Sequence, residues 1–117
     1  MKRLIRYAVA TCLVCAGSPS IGQSRLQTGN DILSVCDSPN DPDRRDALVC
    51  LAWVSGVTQG IDAAHSITRT CLVRFPDRST NAQYRDIIVE FLRKNANYRH
   101  APAGPQAVAA LSGAFPC

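Results

Sequence analysis

The apolar positions of the chain recur mostly at spacings of three and four residues, which is the period of an amphipathic helix. The clearest example follows Thr80, where Thr80-Asn81-Ala82-Gln83 has the sequence of a helix-capping box. The apolar positions of this helix are Tyr84, Ile87, Ile88, Phe91 and Leu92. Asn95 and Asn97 supply residues that commonly end a helix.

A longer helix is predicted to begin at Asp41-Pro42, a capping residue followed by proline at the first helical position. Its apolar positions are Ala47, Cys50, Leu51, Val54, Val57, Ile61 and Ala64. Small residues also recur at a spacing of four, and two glycines inside a helix cost about 1 kcal/mol each relative to alanine. A close helix crossing inside the chain would compensate this cost, and an external docking face is the alternative. The predicted helix-packing residues are Ala52, Trp53, Gly56 and Gly60.

Two shorter helices complete the pattern. Thr28-Gly29-Asn30-Asp31 resembles a capping box and predicts a first helix that ends near Asp37. Residues 106–115 predict the last helix, and residues 67–75 are interpreted as a structured loop because no second strand pattern exists to pair with them. The predicted fold is all-α, a small four-helix bundle, or five helices if short turns are counted.

The N-terminal segment has the pattern of a cleaved secretory signal peptide. Lys2 and Arg3 precede an apolar run at 7–16, and small residues place the cleavage after Gly22 or Ser24. The run is shorter than the roughly 20 residues of a membrane-spanning helix, so no stable membrane anchor is predicted. The chain is therefore divided into a signal peptide, residues 1–24, and a single mature domain, residues 25–117.

Cleavage would leave four cysteines, Cys36, Cys50, Cys71 and Cys117. An even number of cysteines in a short exported chain predicts two disulfides, for which three connectivities exist. Cys36–Cys50 with Cys71–Cys117 is preferred, because it joins neighbouring helices and holds the C-terminus. The crossed pairings of Cys36 with Cys71 or Cys117 stay open.

Charge and composition exclude several functions. The chain carries 13 Lys and Arg against 9 Asp and Glu, but three of the cations lie in the first six residues, so no basic patch for nucleic acid is indicated. The cysteine spacings do not fit a zinc site. His65 and His100 are the mature histidines, and neither lies in an evident catalytic constellation. No catalytic residue, metal or cofactor is predicted, and the chain is interpreted as a non-enzyme.

The order of several short motifs resembles the Rap/Tai immunity-protein family along essentially the whole mature chain. These motifs are Thr28-Gly29-Asn30, Cys36, Cys50-Leu51-Ala52-Trp53-Val54-Ser55-Gly56-Val57, Cys71, Phe91-Leu92, Tyr98-Arg99-His100-Ala101-Pro102-Ala103 and Ala114-Phe115-Pro116-Cys117. The chain departs from the family where a proline is expected soon after the third cysteine, and again in the following inter-helix turn.

The resemblance implies a periplasmic protein of a Gram-negative bacterium that protects the cell by binding a type VI secretion effector, a peptidoglycan amidase. Our hypothesis for the inhibition is occlusion, in which the rigid helical domain covers the substrate cleft of the effector. A homodimer is also plausible from the resemblance. Loops are the segments where recognition can vary without disturbing the bridges. The predicted partner-binding residues are Asp41, Asp43, Arg44, Arg74, Asp77, Arg78, Arg99 and His100.

Two other functions fit the same features. One is a small periplasmic chaperone that exposes apolar helix faces under acid stress. The other is an orphan member of the family with another binding role. A chaperone would hold many unfolded clients at low pH, whereas an immunity protein would retain one dominant partner at neutral pH.

Overall fold

A computed structural model of the protein describes residues 26–117. It contains four α-helices: α1 (Gly29–Cys36), α2 (Arg45–Thr68), α3 (Asn81–Lys94) and α4 (Ala103–Ala114). A short 3-10 turn, Ala96–Tyr98, lies between α3 and α4. The all-α class and the four-helix architecture are confirmed. The predicted signal peptide and its cleavage sites lie outside the described residues.

The two predicted capping boxes are both present. At α1 the Thr28 hydroxyl accepts from the amide of Asp31 at 3.3 Å, and the Asp31 carboxylate accepts from the amide of Thr28 at 2.9 Å. At α3 the Thr80 hydroxyl accepts from the amide of Gln83 at 3.3 Å, and the Gln83 side-chain oxygen accepts from the amide of Thr80 at 2.9 Å. Each box satisfies amides that the first helical turn leaves without partners.

The Asp31 carboxylate also accepts from the Thr28 hydroxyl at 3.0 Å and from the Gln27 amide at 3.1 Å. These bonds, led by the one from the Thr28 backbone, hold the pKa of Asp31 below its ordinary value. Because the folded pKa is the lower one, the stabilisation is complete above the unfolded pKa of about 4 and is lost as pH falls through the folded pKa.

Replacing Asp31 with asparagine is therefore expected to lower the stability at pH 7 and to have a much smaller effect near pH 2. Urea unfolding of both proteins at the two pH values measures this difference. Asp43→Asn is the matched control, since Asp43 is exposed and its carboxylate makes no hydrogen bond within residues 26–117. An equal loss for Asp31→Asn at both pH values would contradict the prediction.

Helix α2 begins later than predicted, at Arg45 instead of Pro42. The Asp41 carboxylate still serves the helix start, because it accepts from the amides of Asp46 at 3.2 Å and Ala47 at 2.9 Å. Between Asp41 and the first helical residue the backbone turns at Arg44, which has a left-handed φ of 56°. The prediction was right about the capping carboxylate, Asp41. It was wrong about the first helical residue, because the loop makes a turn between Asp41 and the start of the helix at Arg45.

The end of α2 and the start of α4 also differ from the predicted ones, whereas α1 ends at Cys36 and α3 at Lys94, as predicted. Helix α2 continues through Ile67 to Thr68, and the amide of Arg69 closes it by donating to the carbonyl of His65 at 2.8 Å. Helix α4 begins at Ala103, three residues before the predicted start. Pro105 falls in its first turn, where the missing N–H removes no helical hydrogen bond.

The core is a single cluster to which every helix contributes. Its most deeply buried side chains are Ile32 from α1, Cys50 and Val54 from α2, Ile88 and Leu92 from α3, and Leu111 from α4. Each helix therefore buries the apolar stripe that its sequence period predicts.

Both preferred disulfides are present, so the predicted connectivity is confirmed. Cys36–Cys50 joins the end of α1 to α2 with a Cα–Cα distance of 5.0 Å, and Cys50 is fully buried. Cys71–Cys117 joins the α2–α3 loop to the last residue with a Cα–Cα distance of 6.1 Å, and both of its cysteines are exposed. The first bridge belongs to the core, and the second lies at the surface.

Helix α2 is long and apolar enough, by length and composition, to cross a membrane. It packs against each of the other three helices, as the central helix of a globular bundle does. Only 22% of its most apolar window is buried. Much of its apolar surface therefore faces outward.

Candidate functional site

The connection between α3 and α4, residues Asn95–Pro102, is held against the start of α1 by backbone hydrogen bonds. The amide of Asn30 donates to the carbonyl of Arg99 at 2.8 Å, and the amide of Gly29 donates to the carbonyl of Ala101 at 3.2 Å. From the other side, the amide of Ala103 donates to the carbonyl of Gln27 at 2.8 Å. We call this segment the α3–α4 turn.

Gly29 allows α1 to approach the α3–α4 turn closely. A Cβ atom at this position would lie 2.8 Å from Cδ2 of Leu92, 3.1 Å from the carbonyl oxygen of Arg99 and 3.1 Å from Nε2 of Gln106. Any residue larger than glycine would have to push these groups away. The Thr28-Gly29-Asn30 motif therefore positions the turn as well as starting α1.

Gln106 supports the turn from beneath. Its side chain is buried, and its amide nitrogen donates to the carbonyls of Ala101 at 2.8 Å and Pro102 at 3.2 Å. The turn is thus bonded to both α1 and α4, and its backbone is fixed before any partner arrives.

The fixed backbone presents an exposed aromatic ring. Tyr98 is 65% exposed, His100 is exposed and Arg99 is half-buried. Aromatic and arginine side chains that project from a rigid backbone contribute strongly to protein interfaces. The predicted partner-binding residues Arg99 and His100 lie here beside Tyr98, which the sequence analysis did not select for binding. One sequence signal could have indicated its exposure: Tyr98 does not belong to the apolar stripe of either neighbouring helix.

An ion pair places the α1–α2 loop at the same end of the bundle. Arg93, near the end of α3, donates from both Nε and a terminal nitrogen to the carboxylate of Asp37, at 3.1 Å for Nε. The hydrogen bond and the charge of Asp37 raise the pKa of Arg93. Of the predicted partner-binding residues in this loop, Asp43 and Arg44 are exposed, whereas Asp41 is engaged in starting α2.

The remaining predicted partner-binding residues, Arg74, Asp77 and Arg78, lie at the opposite end of the bundle, in the α2–α3 loop. The 14 residues of α3 separate the two ends by about 20 Å. The structure therefore divides the predicted binding residues into two groups, and one small interface would not cover both.

Aromatic rings organise this second end. Tyr84 packs on Phe75 with ring centroids 5.0 Å apart and on Phe115 with centroids 5.9 Å apart. The Tyr84 hydroxyl is also hydrogen-bonded to the hydroxyl of Ser79. A groove of about 410 Å³ lies beside Arg78, Ile87 and Phe115. Arg78 has a left-handed φ of 63°, so the loop bends sharply there.

The predicted close crossing at the small residues of α2 was wrong. Ala52, Gly56 and Gly60 are exposed, and a Cβ atom added at Gly56 or Gly60 would meet nothing within 4 Å. Small residues at a spacing of four lie on one helical face, but the spacing does not determine whether that face points inward. Trp53, beside them, is half-buried and packs against the core, as its predicted packing role requires.

His65 and the four cysteines of residues 26–117 make structural contacts within the domain. The Nδ1 atom of His65 lies 3.1 Å from the carbonyl of Thr70, which ties the end of α2 to the following loop. The cysteines of the domain are joined in bridges. No group of three or more His, Cys, Asp or Glu side chains in the described part of the chain is placed to hold a metal ion.

A comparison with protein families decides the relationship of the chain. The family model of the Rap1a immunity proteins matches residues 28–117. The chain belongs to the Rap1a immunity protein family. The match begins at the capping residue of α1 and ends at Cys117, so the Rap1a domain includes all four helices and both bridges. No curated protein and no solved structure matches the chain significantly.

Membership in an immunity-protein family directs attention to surfaces that could bind another protein. Immunity proteins act on a cognate effector, and that action requires a protein-binding surface. In this Rap1a protein the turn combines a fixed backbone with a protruding aromatic side chain. The α2–α3 loop offers a groove but projects no aromatic ring, since Phe75 and Tyr84 pack inward.

Proposed function

We propose that this Rap1a immunity protein binds a type VI secretion effector, a peptidoglycan amidase, in the periplasm and blocks its substrate cleft. The α3–α4 turn, with Tyr98 at its tip and His100 beside it, enters the mouth of the cleft. The observation that carries the proposal is the rigid presentation of an exposed aromatic ring in a protein of an immunity family. Inhibition by occlusion needs no turnover.

Rigidity is what makes a short turn an effective inhibitor. A segment that must become ordered on binding loses conformational entropy, which subtracts from its affinity. The α3–α4 turn has already lost that entropy on folding, because Gly29, Asn30 and Gln106 hold its backbone. Contact with the effector then costs little further ordering, and Tyr98 adds apolar area with a hydrogen-bonding hydroxyl.

The periplasmic location is supported by the sulfur chemistry. Two disulfides in a domain of this size are typical of an oxidising compartment and rare in the cytosol. The N-terminal sequence agrees with export, since its pattern is that of a signal peptide. Intact-mass measurement on protein from a periplasmic extract tests export and disulfide formation together. We expect a mass that lacks residues 1–22 or 1–24 and no free thiols.

The proposed function is tested by capturing the partner from a periplasmic extract of the native organism and assaying it for peptidoglycan amidase activity. The expected result at neutral pH is one dominant partner whose amidase activity the protein inhibits. A partner without this activity, or capture of many unfolded clients at low pH only, would contradict the amidase proposal.

The turn is tested with the double variant Tyr98→Ala with His100→Ala. Loss of an interface hot spot of about 2 kcal/mol predicts roughly 30-fold weaker binding to the captured amidase. The matched control is Arg74→Ala with Asp77→Ala, which changes exposed predicted residues at the opposite end. We expect the control to bind within about threefold of the parent and both variants to unfold at the parental temperature. Weakened binding by the control alone would assign the interface to the α2–α3 loop.

A further inference from the structure

The exposed disulfide Cys71–Cys117 borders a cavity that the proposed binding of an effector does not use. The cavity has a volume of about 280 Å³ and lies between the second half of α2 and the α2–α3 loop. Its lining residues are Asp62, His65, Cys71, Val73, Arg74 and Phe75. Cys117 does not line the cavity, which therefore reaches the bridge from the side of Cys71. We call this disulfide the outer bridge, and Cys36–Cys50 the inner bridge.

The two bridges differ in their access to solvent. Both cysteines of the outer bridge are exposed, whereas in the inner bridge Cys50 is fully buried and Cys36 is half-buried. Thiol–disulfide exchange requires a thiolate to reach one sulfur of the bridge, so its rate depends on that access. A thiolate reaches the inner bridge only when the core opens, because Cys50 belongs to the core cluster. The outer bridge is accessible in the folded protein.

Charge in the cavity favours an anionic reactant. Arg74 is exposed, always positively charged and three residues from Cys71, which is at most about 11 Å along the chain. Its charge acts on a thiolate that approaches Cys71, since this distance is about one Debye length at 0.1 M salt. Asp62 is the one acid of the lining and partly offsets this attraction. His65 supports the wall of the cavity, because its Nδ1 atom lies 3.1 Å from the carbonyl oxygen of Thr70, next to Cys71.

We propose that the outer bridge is a site of reversible thiol–disulfide exchange, at which a dithiol protein reductant attacks Sγ of Cys71 through this cavity. The reductant attacks as a thiolate, and a bond forms between its sulfur and Cys71 while the bond between Cys71 and Cys117 breaks. Cys117 leaves with the bonding electron pair and takes a proton from water. The second thiol of the reductant then displaces Cys71 in the same way. The reductant leaves as a disulfide, and the protein has gained two electrons and two protons.

Reduction at this site is expected to act on stability and to leave the proposed binding surface intact. The cavity lies at the α2–α3 end of the bundle, about 20 Å from the α3–α4 turn. Without the outer bridge, the end of the chain is still held by the amide of Arg74, which donates to the carbonyl of Phe115 at 3.0 Å. Phe115 also packs on Tyr84. The reduced protein should therefore stay folded at 25 °C and unfold at a lower temperature than the oxidised protein.

The difference between the bridges is tested with the oxidised protein purified from the periplasm. The protein is treated with dithiothreitol at neutral pH without denaturant, and free thiols are alkylated at intervals and located by peptide mass spectrometry. We expect Cys71 and Cys117 to be alkylated at least about 100-fold faster than Cys36 and Cys50, because the inner bridge reacts only when the core opens. Circular dichroism at the point where only the outer bridge is reduced should show the helical content of the oxidised protein.

The position of attack has its own test. Glutathione, an anionic thiol with a single sulfur, is added at low salt and the reaction is stopped with acid, which traps the mixed disulfide. We expect glutathione mainly on Cys71. Arg74→Glu should slow this reaction about threefold and speed the reaction of the cationic thiol cysteamine, because the charge beside the cavity is reversed. The matched control is Arg78→Glu, which makes the same change at an exposed position of the same loop that does not line this cavity.

Three results would overturn the proposal. One is reduction of both bridges at the same rate in the folded parent protein, a result that needs no variant. Another is glutathione found mainly on Cys117. The third is an Arg74→Glu variant that reacts with both thiols like Arg78→Glu. This inference goes beyond effector binding and is measured without an effector, so either proposal can fail alone.

Discussion

Replacing Cys71 and Cys117 with alanine is expected to lower the free energy of unfolding by about 4 kcal/mol. The bridge joins residues 46 positions apart, and cross-linking a chain segment of this length removes much of the conformational freedom of the unfolded state. Both cysteines are exposed, so their removal leaves no cavity in the core. The loss should therefore come mainly from the freed chain.

Urea and thermal unfolding of the oxidised proteins measure this effect. For a domain of this size, 4 kcal/mol corresponds to a fall in the unfolding temperature of more than about 15 °C. The matched control is Thr70→Ala with Pro116→Ala, which changes both neighbouring positions and retains the bridge. We expect the control to remain within about 0.5 kcal/mol of the parent. A bridge-deleted protein as stable as this control would show that the C-terminal segment is held by packing alone.

Removal of this bridge should lower the stability of the protein without changing the affinity of the folded protein for the effector. The C-terminal bridge lies at the α2–α3 end of the bundle, about 20 Å from the α3–α4 turn. At a temperature where the bridge-deleted protein is still folded, its affinity for the effector should match that of the parent. Loss of protection in cells would then follow from the smaller folded fraction.

The sequence was informative where a local pattern has a single physical interpretation. Thr28 with Asp31 and Thr80 with Gln83 define helix starts because each box is completed within four residues. The preferred disulfide pairing was also correct, and the reason for preferring it was that Cys36 and Cys50 lie on helices that follow one another along the chain. These features depend little on how the helices pack.

Features that depend on packing were not predictable. The spacing of Ala52, Gly56 and Gly60 is the same whether the face is covered by another helix of the chain or left outside. The sequence alone gives no special reason for a glycine at position 29. The reason is visible only in the fold, where a Cβ atom at Gly29 would lie 3.1 Å from the Arg99 carbonyl oxygen of the α3–α4 turn. Tyr98 was not selected as a binding residue for the same reason, because only the fold shows that its ring is exposed.

The close approach at Gly29 leads to the second large effect. We expect Gly29→Ala to lower the free energy of unfolding by about 3 kcal/mol, at the upper end for overpacking. The new methyl group would meet the Leu92 side chain, the Arg99 carbonyl and the Gln106 amide together, and a backbone carbonyl cannot move aside as a side chain does. The matched control is Gly113→Ala in α4. A Cβ atom there meets nothing within 4 Å, so the same substitution should stabilise the protein by up to about 1 kcal/mol.

A double-mutant cycle identifies which neighbour resists the new methyl group. Leu92→Val shortens the side chain that approaches to 2.8 Å but leaves the Arg99 carbonyl in place. When Leu92→Val is combined with Gly29→Ala, we expect the free energy of unfolding to be about 1 kcal/mol higher than the sum of the two single effects predicts. The rest of the loss caused by Gly29→Ala should remain. Because the contact with the Arg99 carbonyl displaces the α3–α4 turn, we expect Gly29→Ala to weaken effector binding, and the double variant should remain weakened. Full recovery of stability and binding would show that Leu92 alone limits the approach, and that the turn is not positioned through Gly29.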